Sequence, residues 1–189
     1  MASPRIVITG ATSGIGLETA RQLAARGARL VLACRNVAKA EAVAVELREL
    51  GAPEAEVVHL DLASLASVRR CADELLAREE PIDVLVNNAG TFSMRRQETE
   101  DGFELTMGVN HFGPFLLTNL LLPAIRRSAA ARIVNVSSAA YRYGTLRLDD
   151  LQRTRWRGGV GWGGFRAYAA SRLATVLFTT LLGEGGVAA

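Results

Sequence analysis

Tyr168 and Arg172 are the two side chains in this sequence best suited to move a proton. They lie four residues apart in a stretch with helical spacing, so both should project from one face of a helix, one turn apart. A tyrosine phenol has an ordinary pKa of about 10, and lowering it by roughly three units takes about 4 kcal/mol of selective stabilisation of the phenolate. A fixed cation supplies that stabilisation, so the pair could donate and accept a proton near neutral pH. Tyr141 and Tyr143 have no comparable partner.

A glycine-rich segment near the N-terminus has the composition of a phosphate-binding turn. Residues 9–16 read Thr-Gly-Ala-Thr-Ser-Gly-Ile-Gly, between a β-branched run and a stretch with helical spacing. A pyrophosphate there would meet the free N–H groups and positive dipole end of the helix, and glycines let the backbone approach because they carry no Cβ. An ordinary turn is the alternative, but the strand before it and the helix after it favour dinucleotide binding. The predicted contact residues are Gly10, Thr12, Ser13, Gly14, Ile15 and Gly16.

The elements that must position these residues alternate along the whole chain. Apolar runs predict strands at 5–9, 29–34, 56–60, 82–86 and 132–136. Amphipathic stretches predict helices at 15–26, 37–50, 64–78, 102–127 and about 165–182, with a break or bend at Gly113-Pro114. Right-handed crossovers and the glycine-rich first turn then predict an α/β fold: a Rossmann-like, doubly wound parallel sheet of at least five strands in the order 3-2-1-4-5, with helices on both faces. The long connection 137–164 is expected to be functional or mobile.

Composition narrows the class of protein. The chain has 189 residues, 49% of them apolar and 22% charged, which predicts a single globular domain over 1–189 and excludes disordered, collagenous and coiled-coil proteins. The net charge is +3, but the basic residues are scattered, so no nucleic-acid partner is predicted. No apolar stretch reaches the roughly 18 residues of a membrane helix and no targeting segment is visible, which predicts a soluble, cytoplasmic protein.

The residues that could bind metals or form disulfides are few. Cys34 and Cys71 are far apart in apolar surroundings, so two buried thiols in a reducing compartment are expected rather than a disulfide. His59 and His111 are expected to be structural, and no metal site is predicted.

Five spaced segments resemble the motifs of short-chain dehydrogenases/reductases. Residues 9–16 are similar to the family's T-G-x-x-x-G-x-G turn, and the other segments follow in the family's order: 87–90 (Asn-Asn-Ala-Gly), 109–113, 133–138 and 168–172. Finer features at 33–36, 101–104, 109–111, 171–174 and 176–178 resemble the retinol dehydrogenase-like branch.

The resemblance implies roles for particular residues. Ser138, which also lies at the carboxyl end of the fifth strand, would hydrogen-bond the substrate oxygen, and Asn110 would hold a proton relay. Tyr168 and Arg172 would complete the catalytic set and contact the cofactor. The remaining implied cofactor contacts are Asp61, Leu62, Asn88, Ala89 and Gly90. For Asp61 a role in starting the next helix is an equal alternative.

The end of the second strand indicates which dinucleotide is bound. It reads Ala-Cys-Arg-Asn, with no carboxylate to bind the ribose 2′-hydroxyl of NAD, whereas Arg35 could hold the 2′-phosphate of NADP. NADP(H) is therefore predicted over NAD(H). A solvated surface arginine is the alternative, since Lys39 is the single lysine among 22 basic residues and arginine is abundant.

The chain departs from the family pattern at two places. The family has Lys where Arg172 stands, so the charge is retained but the compact ammonium is replaced by a wide, planar guanidinium, and activity could be kept or weakened. The sequence also stops at Ala189, whereas the family continues through at least one more strand and the segment that closes over the substrate. The fifth strand would then be an uncovered edge, open to association into a homo-oligomer. The loop 153–164, with Trp156 and Trp162, would pack there or line an apolar pocket.

Two functions of different classes follow from these patterns. The first is an NADP(H)-dependent oxidoreductase that interconverts a lipophilic alcohol (retinoid-, steroid- or aldehyde-like) and its aldehyde or ketone at a Ser-Tyr-Arg site. The alternative is a shortened, weak or silent dinucleotide-binding module that acts through protein association. A nucleotide-sugar epimerase or dehydratase is less supported, because Ser138 and Tyr168 lie in a context that resembles the dehydrogenases.

Overall fold

Five parallel strands form one sheet in the computed structural model, which describes residues 3–155 and 159–184. The strands are β1 (Arg5–Thr9), β2 (Arg29–Cys34), β3 (Ala55–His59), β4 (Val84–Asn87) and β5 (Arg132–Asn135). Within those residues they lie in the order β3-β2-β1-β4-β5, and each neighbouring pair is parallel. The predicted strand order is confirmed.

Helices cover both faces of this sheet, as a doubly wound fold requires. They are α1 (Gly14–Ala24), α2 (Val37–Glu49), α3 (Leu65–Leu76), α4 (Leu105–Met107), α5 (Gly113–Ile125) and α6 (Gly159–Glu184), with a π-helical turn at Gly108–Phe112 and a 3-10 helix at Ala139–Tyr143. α1 and α2 share one apolar cluster with the sheet, and α3 and α5 share the other. In the described ranges, no helix is both long enough and apolar enough to cross a bilayer.

The central strand β1 is buried over its whole length. Val7 packs into the cluster under α3 and α5, whereas Ile6 and Ile8 pack into the cluster under α1 and α2. A strand covered on both faces is a continuous apolar run, and this is why the run is so clear in the sequence. β1 therefore gives the turn that follows it a rigid base.

Helix α6 begins at Gly159, six residues before the predicted start near position 165. The glycines in this stretch are typical of a loop, but Gly164 serves a close contact. Gly161 adopts a φ of 94°, and a Cβ on Gly164 would lie 2.9 Å from Met94 Cα. The helix can therefore start early because glycine lets it pack against the loop after β4. Trp156 lies outside the described residues.

The outer edge of the sheet is β5. Ile133 is buried against the core, whereas Val134 is 44% exposed, and no strand pairs with the outer side of β5 within the part of the chain described.

Cys34 and Cys71 are both free and buried, as predicted. Burial raises the pKa of the Cys34 thiol and raises that of Cys71 to about 12. Both thiols are therefore protonated at neutral pH and behave as small apolar core groups.

Candidate active site

The glycine-rich turn between β1 and α1 is held in place by the residues after β4. The Asn88 side chain donates through Nδ2 to the carbonyl oxygens of Thr9 (3.0 Å) and Gly10 (3.2 Å). The main-chain N–H groups of Asn88 and Ala89 both donate to Thr9 Oγ1 at 3.0 Å. These bonds fix the shape of the turn before a ligand arrives, which lowers the entropic cost of binding.

The backbone of this turn is exposed to an incoming anion. Gly10 and Gly14 have φ angles of 68° and 54°, in the left-handed region that favours glycine. A Cβ on Gly16 would lie 2.5 Å from Gly10 O. Ser13 makes no side-chain cap to α1, and the first turn of that helix holds no acidic residue. The N-terminus of α1 can therefore receive a phosphate.

We expect Gly16→Ala to weaken dinucleotide binding by at least about ten-fold. Its Cβ would collide with Gly10 O and with the Asn88 side chain, and so displace α1 from the turn. Calorimetric titration with NADPH measures the change. Gly183→Ala is the matched control, because a Cβ there meets nothing within 4 Å. Undiminished affinity in a folded Gly16→Ala variant would contradict phosphate binding by this turn.

A groove of about 540 Å³ follows the carboxyl ends of the strands, where open α/β sheets bind their ligands. Apart from Gly14, it brings together all the residues predicted to contact the cofactor: Gly10, Thr12, Ser13, Ile15, Gly16, Arg35, Asp61, Leu62, Asn88, Ala89, Gly90, Tyr168 and Arg172. Sequence reasoning missed Thr91, Val109 and Val136, which also line it. Thr91 directly follows the motif 87–90, whereas Val109 and Val136 lie inside the motif segments 109–113 and 133–138 but were given no role there.

One arginine, Arg35, lines the groove next to the end of β2. Arg35 is exposed there, and among the described residues it makes no hydrogen bond or ion pair. Its neighbour Asn36 caps α2 by accepting from Lys39 N at 2.9 Å. No carboxylate follows β2 at this point, so the guanidinium could meet a phosphate without a competing side chain.

Asp61 has a structural task in addition to its place in the groove. Its Oδ1 accepts from Ala63 N at 2.9 Å, and its main-chain N–H donates to Ser67 Oγ at 3.0 Å. The turn before α3 thus depends on Asp61, while Ser64 is the N-cap of that helix, as predicted. The position of Asp61 is therefore compatible with both predicted roles, a contact to the cofactor and the start of α3.

Tyr168 and Arg172 project from the same side of α6. The guanidinium carbon of Arg172 lies 5.0 Å from the centre of the Tyr168 ring. Partial burial alone would raise the pKa of the phenol, but hydrogen bonding by Ser138 and Arg172, together with the charge of Arg172, holds it below its ordinary value. The phenol is therefore biased toward acting as a base as well as an acid.

Arg172 is tightly enclosed and only 7% exposed. Its Nη1 donates to the carbonyl oxygen of Val136 at 2.8 Å. Its Nη2 lies against Gly90, where a Cβ would collide with it. Its Nε is buried and has no hydrogen-bond partner in the described part of the chain. The wide guanidinium thus fits here because residue 90 has no side chain.

The two serines after β5 have different surroundings. Ser138 lines the cavity beside Tyr168 and caps the 3-10 helix, accepting from Ala140 N at 3.3 Å. Ser137 Oγ donates to the carbonyl oxygen of Arg172 at 3.1 Å, which ties the end of β5 to α6. Ser138 therefore shares a cavity with Tyr168, whereas Ser137 lines the neighbouring groove.

Asn110 lies in the π-helical turn and is 3% exposed. Its Nδ2 donates to Thr91 O and to Ser171 Oγ, each at 3.0 Å, and its Oδ1 accepts from Thr91 N at 2.7 Å. Ser171 Oγ in turn donates to the carbonyl oxygen of Tyr168 at 2.7 Å. Asn110 therefore connects the loop after β4 to α6, and such π-turns are frequent at functional sites. Its role in a proton relay stays a prediction.

A second cavity, of about 510 Å³, opens beside the groove. Its walls are partly aromatic: Phe92 packs edge-on against Tyr168 at 5.7 Å, and Phe165 is stacked with Trp162 at 5.6 Å. Trp162 is 65% exposed and supports this wall from outside. Phe92 was not predicted, although it follows the Asn-Asn-Ala-Gly motif by two residues.

The two histidines differ in their surroundings: His111 is partly buried, whereas His59 is exposed. His111 packs among Phe112, Phe115 and Phe178, and burial lowers its pKa. His59 ends β3 and lies 3.4 Å from Ser67 Oγ. In the ranges that the structure describes, no group of three or more His, Cys, Asp or Glu side chains could hold a metal ion.

Comparison with known proteins gives close relatives. The family model described as short chain dehydrogenase matches residues 4–148. Human retinol dehydrogenase 13 is 47% identical over 176 residues, which are 92% of this chain and 52% of the relative. Bovine dehydrogenase/reductase SDR family member 13 is 52% identical over 174 residues, which are 91% of this chain and 45% of the relative. The chain thus spans about half the length of these curated relatives.

Solved structures share the architecture. A crystal structure of a protein from Mycobacterium paratuberculosis matches 98% of this chain and 65% of its own, with 42% identity and a TM-score of 0.83. A short chain dehydrogenase from Shigella flexneri complexed with NADP matches 98% of this chain and 72% of its own, with 27% identity and a TM-score of 0.76. An NADH-dependent reductase complexed with NAD matches 97% of this chain and 73% of its own, also with 27% identity and a TM-score of 0.76. Both dinucleotides therefore occur on this architecture.

Proposed function

Since the chain belongs to the short-chain dehydrogenase family, we propose that it interconverts a lipophilic alcohol and its aldehyde or ketone by hydride transfer with NADP(H). One observation carries the proposal: the groove and the aromatic-walled cavity meet at Tyr168 and Arg172, which line both. A dinucleotide in the groove and a substrate in the cavity would therefore come together at the phenol with the lowered pKa. The relatives named as retinol dehydrogenases support a substrate of this kind.

The proposed chemistry divides between cofactor and protein. The nicotinamide, when bound, supplies or accepts the hydride. The Tyr168 hydroxyl donates its proton to the carbonyl oxygen as that oxygen gains charge, and in the reverse direction the phenolate accepts the proton of the alcohol. Ser138 Oγ holds the same oxygen by a hydrogen bond, and Arg172 stabilises the phenolate. Gly10, which has no side chain to keep a ligand away from its backbone, would face the pyrophosphate.

Turnover of a substrate panel tests this function. The purified chain is incubated with NADPH and all-trans-retinal, a steroid ketone or a medium-chain aldehyde, and NADPH consumption is followed. We expect measurable reduction of at least one apolar carbonyl, because Phe92 and Phe165 line the cavity. Absence of turnover with all three, while NADPH still binds, would refute the enzymatic proposal for this chain.

Arg35 is proposed to select NADP(H) over NAD(H). We expect Arg35→Ala to weaken NADPH binding by about 10- to 100-fold and to leave NADH binding within about two-fold, because a charge-assisted hydrogen bond is worth roughly 1.5–3 kcal/mol. Fluorescence titration with both cofactors measures the two affinities. Arg26→Ala removes an exposed arginine that does not line the groove and should change neither. Tighter binding of NADH than NADPH by the unmodified chain would overturn the assignment.

The exposed edge of β5 favours a second candidate, a dinucleotide-binding module that acts by association. Val134 is 44% exposed on this edge strand, and exposed edges are templates for pairing with another chain. Cofactor binding without turnover, together with concentration-dependent dimerisation, would favour this candidate over the enzyme.

A further inference from the structure

Two buried polar atoms behind the catalytic pair lack a partner. Arg172 Nε, a donor, and Asn87 Oδ1, an acceptor, are both buried without a hydrogen bond in the described part of the chain. Asn87 is otherwise well bonded, since its Nδ2 donates to Thr118 Oγ1 at 2.9 Å and to Asn135 Oδ1 at 2.8 Å. An unpaired buried polar atom costs roughly 1–3 kcal/mol, and more when the group is charged. One shared partner could satisfy both the buried donor and the buried acceptor.

Both residues line the same small cavity. Its volume is about 10 Å³, and its walls also include Asn110, Asn135 and Thr175. A single water molecule needs roughly 10–15 Å³ of such space and two to four polar partners. The cavity thus has the size and the polarity for one water, while an organic ligand would not fit.

Arg172 is the charged residue in this wall. His111 also lines the cavity, but burial lowers the pKa of its imidazole, so the ring is neutral at neutral pH. Outside the cavity the guanidinium faces Val136 O, which accepts from Nη1, and Gly90, which packs against Nη2; the titratable group that faces it there is Tyr168. A water at Nε would complete the hydrogen bonding of the cation.

We propose that this cavity holds one buried water that accepts a hydrogen bond from Arg172 Nε and donates one to Asn87 Oδ1, so that Asn87 is a positioning residue for the catalytic guanidinium. Asn87 ends β4, which lies between β1 and β5 in the sheet, and Arg172 lies on α6. The water therefore couples the orientation of the cation to the rigid sheet rather than to the helix alone. The part that concerns catalysis rests on the proposed function, whereas the hydration site does not.

Direct observation of the water is the first test. A high-resolution crystal structure of the full chain should show one ordered water within about 3.2 Å of both Arg172 Nε and Asn87 Oδ1. An empty cavity, or a direct hydrogen bond between the two side chains, would overturn the proposal. This readout does not require turnover, so it can succeed or fail independently of the proposed function.

The positioning role is tested by the ionisation of Tyr168. The absorbance of tyrosinate is measured against pH in Asn87→Leu. The absorbance of the double variant Asn87→Leu/Tyr168→Phe is subtracted, so that the difference reports the ionisation of Tyr168 alone. Loss of the water should misorient the cation and raise the pKa of Tyr168 by about one unit, which is a ten-fold change in the phenolate fraction below that pKa.

Two controls separate positioning from general damage to the core. Thr118→Val removes a hydrogen-bond partner of Asn87 Nδ2 but leaves Oδ1 facing the water, so it should not move the titration. In an Arg172→Met background, Asn87→Leu should add no further shift. An equal shift in Thr118→Val, or no shift in folded Asn87→Leu, would show that Asn87 acts by packing and would refute the role.

Discussion

Tyr168→Phe should reduce hydride transfer by about 10³-fold or more and change the Kd for NADPH by less than about two-fold. Removal of a positioned proton donor costs typically 10²–10⁴-fold, and Tyr168 is the phenol with the lowered pKa. The phenyl ring remains, so the edge-on contact with Phe92 and the face presented to Arg172 are retained. The substitution thus removes one oxygen atom where the two cavities meet.

Single-turnover kinetics at saturating NADPH, together with a separate binding titration, measure the two effects. Tyr143→Phe makes the same chemical change at a residue that is 72% exposed, and it should leave both quantities unchanged. Parallel losses of binding and turnover in Tyr168→Phe would mean that the hydroxyl supports packing rather than chemistry.

Arg172→Met should lower alcohol oxidation at neutral pH by about 10²-fold and displace its pH profile upward. Oxidation uses the phenolate as the base, so its rate rises as pH passes through the pKa of Tyr168. Hydrogen bonding and the charge of Arg172 help to hold that pKa below its ordinary value, so loss of the cation raises it and moves the profile to higher pH. Reduction, which uses the protonated phenol, should be affected less by this shift.

Arg172→Lys is the matched variant, because it keeps the charge one helical turn from Tyr168. We expect it to retain or raise the rate, since a compact ammonium needs less room than the guanidinium that lies against Gly90. Rates are compared by single-turnover transfer at several pH values, with circular dichroism to confirm folding. Equal rates in all three proteins would show that Arg172 plays no part in the chemistry, whereas activity in the lysine variant alone would identify Arg172 as the one defect of the site.

The sheet could be predicted from the sequence because each strand contains a short apolar run and clear helix signals separate the runs. β1 is covered on both faces, and its inner residues 6–8 are all apolar. The start of α6 could not be predicted, because glycine there serves close packing against Met94, and the same residue in sequence is typical of a loop. This tertiary contact therefore overrides the low helix propensity of glycine at the start of α6.

The site was predictable where a residue follows a strand or shares a helix face. Ser138 and the Tyr168–Arg172 pair are of this kind, and the structure brings them to one cavity. The hydrogen bonds of Asn110 with Thr91 depend on a π-helical turn, which no sequence pattern indicated. The orphaned atom of Asn87 likewise becomes visible only when burial and partners are known.

The contact between Gly90 and Arg172 makes the two positions mutationally interdependent. A Cβ at position 90 would strike Arg172 Nη2 and would lie 3.3 Å from Asn110 Oδ1, so a replacement of Gly90 requires both of these side chains to shift. Arg172→Lys would relieve the first of these contacts and so lower the cost of a later change at Gly90. The effects of substitutions at positions 90 and 172 are therefore expected to be non-additive and to depend on their order.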